Sequence, residues 1–111
     1  MKKLEIAETI VTKFYDLNRL ALHTKSRKRE IVTARQIIWF LTHKPYSHYS
    51  LENIGKYFDK DHATALHGIN TINTLIEVDK ILKREVEAIM DIYQNMIMSI
   101  PMNFPVESFG G

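Results

Sequence analysis

A chain of 111 residues has room for one core and little more, and its 45% hydrophobic content is too high for a disordered chain. With no cysteine it has no disulfide framework and no thiol chemistry, and the missing ~20-residue apolar run excludes a membrane-spanning helix. The net charge of +2 conceals an asymmetry, with ten Lys/Arg against four Asp/Glu in residues 1–50 and five against nine in residues 51–111.

Leu4, Ile6, Ala7, Ile10, Val11 and Phe14 recur at helical spacing and predict a helix over residues 3–15, with lysine and glutamate on its other side. Glu5 and Glu8 interrupt what would be a signal-peptide core, so the expectation is a soluble, cytoplasmic protein. Residues 16–29 read as a polar connection holding one short helix after Asn18. It ends in KSRKR at 25–29, the densest basic run of the chain. EIVTARQIIWFLTH at 30–43 is apolar on most sides, which predicts a central, buried helix. Pro45 closes it, because proline disfavours helix in the residue before it. Ser50 then stands where it can accept a backbone N–H and cap a short helix over 51–58. Asp59 and Lys60 make a tight connection, Asp61 occupies an N-cap position, and a longer helix follows over 62–76. Asp79 caps a last helix carrying Ile81, Leu82, Val86, Ile89, Met90, Tyr93 and Met96, which fades before Pro101. The fold expected is all-α: a compact bundle of five to six helices over 1–97 with no strand, and a loose tail over 98–111.

The stretch HATALHGINTI, inside the fifth of these segments, carries the functional question. On a helix, Ile69, Ile72 and Ile76 fall within roughly 40° of Ala65 and form a buried stripe. Ala63, His67, Asn70 and Thr74 lie opposite, flanked by Thr64 and Thr71 on one side and by His62 and Leu66 on the other. Such an outward face, with short polar groups and almost no charge, suits close approach to another surface. A metal site is not expected, because paired histidines on one face need i, i+4 spacing and His62 and His67 are roughly 140° apart. An enzyme is not expected either, nor a cofactor or small-molecule substrate: no nucleophile motif, Gly-rich phosphate loop or paired carboxylates appear. The remaining reading is a helix-turn-helix over 50–76, whose second helix enters the major groove with its N-terminal residues at base edges. His62, Thr64 and His67 fall in its first two turns, and the basic run supplies phosphate contacts. On pattern alone, a plain helical bundle in which KDHAT is only a cap stays equally open.

SRKREIVTARQIIWFL followed by SLENIGKYFDKDHATALHGINTI resembles the C-terminal DNA-binding domain (domain IV) of the DnaA replication initiators. The matching elements are the basic loop, the pair Arg35-Gln36, the Ser50-Leu51…Ile54-Gly55 helix and Asp61-His62-Ala63-Thr64…His67. They cover about residues 5–93. The resemblance implies binding to short A·T-rich duplex boxes. It implies Arg27 in the minor groove with Arg29 close by, Lys25 in the same positive patch, and Arg35, Gln36 and Thr64 on phosphate. Asp61, His62, Leu66 and His67 would sit at bases, Leu66 against a thymine methyl, and Ser50 joins the DNA side. Three positions depart from the family pattern. Ala63 replaces a serine or threonine, Glu52 stands where some members carry proline, and Asn70 stands where a basic residue is common. Together they point to weaker or altered specificity. With no Gly-rich phosphate loop, the chain is expected to be a stand-alone DNA binder, acting as repressor or competitor for initiator boxes, or a fragment of an initiator. The alternative class is a non-catalytic helical module that binds another protein, such as a replication protein.

Overall fold

A computed structural model of the chain describes residues 2–43 and 49–99. Helices α1 (Lys2–Phe14), α2 (Arg29–Thr42), α3 (Leu51–Lys56), α4 (His62–Val78) and α5 (Lys80–Met98) follow one another, with a 3-10 turn at Arg19–His23 between the first two. No strand occurs among the described residues, and the all-α expectation holds. The expected ending at Pro45 lies outside the described residues; of the expected tail over 98–111, Met98 ends α5 and Ser99 caps it, and the rest lies outside the described residues.

Local chemistry sets most of the boundaries. Asn18 accepts from the Leu20 N–H and starts the 3-10 turn; Ser50 accepts from Asn53 and starts α3; Asp61 accepts from Thr64 and starts α4. Asp79 accepts from Ile81 and Leu82, and it alone separates α4 from α5. Each side chain satisfies amides that the first helical turn leaves without partners. α1 stops where Asp16 turns left-handed at φ 55°, and Leu17 N–H returns to the Thr12 carbonyl at 2.8 Å.

α2 is the central element, packing against α1 and α4, while α4 also meets α3 and α5 and α1 lies along α5. Ile37, Ile38, Trp39 and Leu41 of α2 are all 2% exposed or less. They join Leu4, Val11, Leu22, Ile54, Phe58, Ala65, Ile72, Ile89 and Tyr93 in one core. On α4 the stripe forms as expected, with Ala65, Ile69 and Ile72 buried and Ile76 half-buried. On α5 the stripe is used internally, since Leu82, Val86, Ile89 and Tyr93 are core residues. Ile81 and Met96 are not part of it, at 70% and 42% exposed, and Phe14 is 41% exposed. Ile81 lies about 100° round the helix from Leu82, which turns it away from α1 and α4.

Two buried charges depart from the helical pattern. Glu8, on the side of α1 read as solvent-facing, is fully buried. Its Oε1 accepts from Arg19 Nε at 2.8 Å and from the Tyr57 hydroxyl at 2.6 Å, and its Oε2 meets His23 Nε2 at 2.6 Å. This carboxylate ties α1 to the 3-10 turn and to the end of α3. The second buried charge is Arg35, in α2.

Candidate nucleic-acid interface

The turn between α3 and α4 follows from three residues. Asp59 adopts φ 58°, Asp59 N–H returns to the Lys56 carbonyl at 2.9 Å, and Lys60 N–H returns to the Gly55 carbonyl at 2.9 Å. This is a Schellman ending, and it turns the chain within a few residues. Gly55 is required by closeness: a Cβ there would stand 2.7 Å from the Asp61 carbonyl oxygen and 2.9 Å from that of Lys60.

Trp39 fixes the pair of helices on α2. Its indole N–H donates to the Ile54 carbonyl at 2.8 Å, satisfying an acceptor at the end of α3. Its ring lies edge-on to Phe58, with centroids 6.0 Å apart. On its other side it meets Gly68 of α4 so closely that a Cβ there would be 2.7 Å from Cε3 and 3.0 Å from Gln36 Cγ. Tryptophan and glycine therefore bring α4 against α2 at a fixed depth.

The outward face of α4 is open. His62, Ala63, Thr64, His67, Asn70 and Thr74 are exposed, Thr71 is half-buried, and Leu66 is 41% exposed. Asp61 uses one carboxylate oxygen as the cap, at 2.8 Å from Thr64 N. The Thr64 backbone N–H, then its hydroxyl, hold the Asp61 carboxyl below the usual carboxylate range.

Residues far apart in the chain meet around one depression of about 440 Å³. Arg27, Val32, Arg35, Gln36 and Trp39 line it from the loop and α2, and Lys60, Thr64 and His67 line it from the other side. His67, Asn70, Thr71, Thr74 and Leu75 line a shallower groove of about 290 Å³ further along α4. Five of the residues singled out from the sequence thus share one concavity, and Lys60 joins them although its sequence context showed only a turn. Lys25 is exposed and lines neither hollow, and Ser50 is exposed with its hydroxyl engaged as the α3 cap. Arg29 lines a separate cleft with Tyr15, Glu30, Leu82 and Glu85.

Arg35, expected on phosphate, is 4% exposed and is already engaged by its own chain. Nε donates to the Leu22 carbonyl at 2.9 Å, Nη1 to Ser26 at 3.0 Å and Nη2 to Thr24 at 2.7 Å. Burial pushes its guanidinium below the ordinary arginine value.

A short capped helix, a Schellman turn and a longer helix with an open polar face, seated on a buried central helix, define a helix-turn-helix domain. Residues 5–72 match the family described as bacterial dnaA protein helix-turn-helix, and the chain belongs to that family. It is 49% identical over 81 residues to the chromosomal replication initiator protein DnaA of Bacteroides thetaiotaomicron. It is 46% identical over 81 residues to that of Bacteroides fragilis, and 38% identical over 87 residues to that of Flavobacterium psychrophilum. These alignments cover 72–78% of this chain but only 17–18% of the relatives' lengths.

Proposed function

We propose that the chain binds duplex DNA sequence-specifically, at A·T-rich sites of the DnaA-box type, and acts in replication initiation or its regulation. One observation carries this reading: Arg27, Gln36, Thr64 and His67 surround a single depression beside the open face of α4. A major groove admits one helix, and α4 offers it a face without bulky charged side chains. His62, Leu66, His67 and the Asp61 carboxylate reach base edges, with Leu66 and the Ala63 methyl suited to thymine methyl groups. Arg27 enters the adjacent minor groove, where a narrow A·T-rich width attracts arginine. Gln36, Thr64, Lys60 and Lys25 meet phosphate, and Asn70 extends the contact along α4. On this reading the protein works at the nucleoid, in the cytoplasm, and needs no catalytic group or cofactor. A protein-binding helical module is the second reading. In its favour are Val78 and Ile81, 76% and 70% exposed beside the α4–α5 junction.

Selection of binding sites from a random duplex pool, followed by salt-titrated binding, tests the proposal. An A·T-rich site should emerge, and His67→Ala should lose the preference for it while keeping its helicity and its non-specific binding. If His67→Ala binds the selected site as well as the wild type does, α4 does not read DNA and the protein-binding reading takes over.

A further inference from the structure

Residues 24–28 owe their path to a short pattern. Thr24 N–H and the Thr24 hydroxyl both donate to the Ala21 carbonyl, at 3.2 and 2.7 Å. Ser26 N–H then donates to the Thr24 hydroxyl and Lys28 N–H to the Ser26 hydroxyl, each at 3.2 Å. Thr24 is extended, at φ −101° and ψ −178°. The carbonyls of Leu22, in the 3-10 turn, and of Thr24 and Ser26, in the loop that follows, all reach Arg35. Lys25 and Arg27, the intervening residues, are exposed. Among the described residues no carboxylate lies within ion-pair distance of the buried guanidinium. Carbonyl oxygens hold it instead, through three of its five N–H donors.

We infer that Arg35 is a positioning residue: its guanidinium holds the backbone of residues 22–26 so that Arg27 projects over the depression it shares with Thr64 and His67. It acts through the loop rather than as a phosphate clamp in its own right. The part played by Arg27 on DNA rests on the function proposed above; the ordering of the loop does not. The planar fork is essential, because one lysine nitrogen at the end of a flexible stem cannot reproduce a grip spread over three carbonyls.

Two measurements on the whole chain test this. Limited trypsin digestion reports the loop directly, since Lys25, Arg27 and Lys28 are cleavage sites. Cleavage after Lys83 and Arg84 in α5 reports global opening. Arg35→Lys should be cut in the loop about tenfold faster than the wild type, with cleavage in α5 little changed. Unchanged loop cleavage overturns the inference. Binding to the wild type's selected site supplies the second measurement. A phosphate clamp keeps most of its affinity in Arg35→Lys, because the charge is retained, and its loss adds to that of Arg27→Ala; that result overturns the inference. A positioning residue gives Arg35→Lys a loss similar to that of Arg27→Ala, with the double variant no weaker than either. Arg35→Ala is the harsher variant; if it does not fold, Arg35→Lys carries both measurements. A wild type that selects no site overturns the DNA reading, and the digestion then decides by itself whether Arg35 orders the loop.

Discussion

Removing the carboxylate of Glu8 should destabilise the domain by about 2–4 kcal/mol. Glu8→Ala takes away the acceptor of Tyr57, Arg19 and His23 at once. A hydrogen bond to a charged group is worth about 1.5–3 kcal/mol when its loss leaves a buried partner unsatisfied. The side chains of Arg19 and His23 are 47% and 36% exposed, so water replaces much of what they lose. The half-buried Tyr57 hydroxyl recovers less, and the cavity at a fully buried site adds roughly another 1 kcal/mol. Relief of the buried charge offsets part of this sum. For a domain of this size the loss corresponds to a fall in Tm of about 10–20 °C. Glu8→Gln, which keeps the shape but not the charge, should lose about half as much. Urea unfolding followed by far-UV circular dichroism gives the value, and a cycle with Tyr57→Phe isolates the pair, where a coupling of about 1 kcal/mol is expected. A loss below about 1 kcal/mol for Glu8→Ala, or no coupling to Tyr57, would refute the view that this carboxylate anchors the 3-10 turn and the end of α3.

Trp39→Phe leaves the Ile54 carbonyl without its donor and should lower stability by about 1–3 kcal/mol; amide exchange in α3 should quicken, and unchanged protection there counts against the indole bond. Asp59→Gly relieves a left-handed residue at φ 58° and should gain about 0.5 kcal/mol by urea midpoint; a loss instead would mean that the Asp59 side chain itself supports the turn. Burial, then the Glu8 carboxylate, pushes the Tyr57 hydroxyl from its ordinary 10.0 up to about 12. The folded chain therefore holds that proton more tightly than the unfolded chain, so the contribution is complete below pH 10 and disappears as the pH rises through about 12. Wild-type stability should accordingly fall more steeply than that of Tyr57→Phe across this window, and parallel curves would contradict the assignment. Ala63→Thr should raise affinity for an A·T-rich site severalfold at a helix cost of only a few tenths of a kcal/mol; equal gains on random duplex would mean the hydroxyl meets phosphate rather than a base.

The helices were legible because their signals are local. Asn18, Ser50, Asp61 and Asp79 each cap within three residues of themselves, and the Ala65–Ile69–Ile72 stripe needs only the helical period. The buried charges were not legible. A glutamate at position 8 among apolar neighbours reads as solvent-facing, and its Tyr57 partner lies 49 residues away. Arg35 reads as a surface cation for the same reason, since its partners are backbone carbonyls, which no residue type announces. The depression was half legible: the residues from α4 followed from periodicity, but their meeting with the loop depends on how Trp39 and Gly68 seat one helix on another. The apolar spacing of the last helix did not show that Ile81 and Met96 stay exposed, because such spacing says nothing about where a neighbouring helix stops.

The grip on residues 22–26 has an evolutionary consequence. Arg35 touches main-chain oxygens, which every amino acid supplies, so the outward side chains of the loop can be exchanged without altering its course. Selection can then retune positions 25 and 28 one at a time while the guanidinium, together with the Thr24 and Ser26 hydroxyls, preserves the frame. Variation should concentrate at positions 25 and 28 and be rare at position 35.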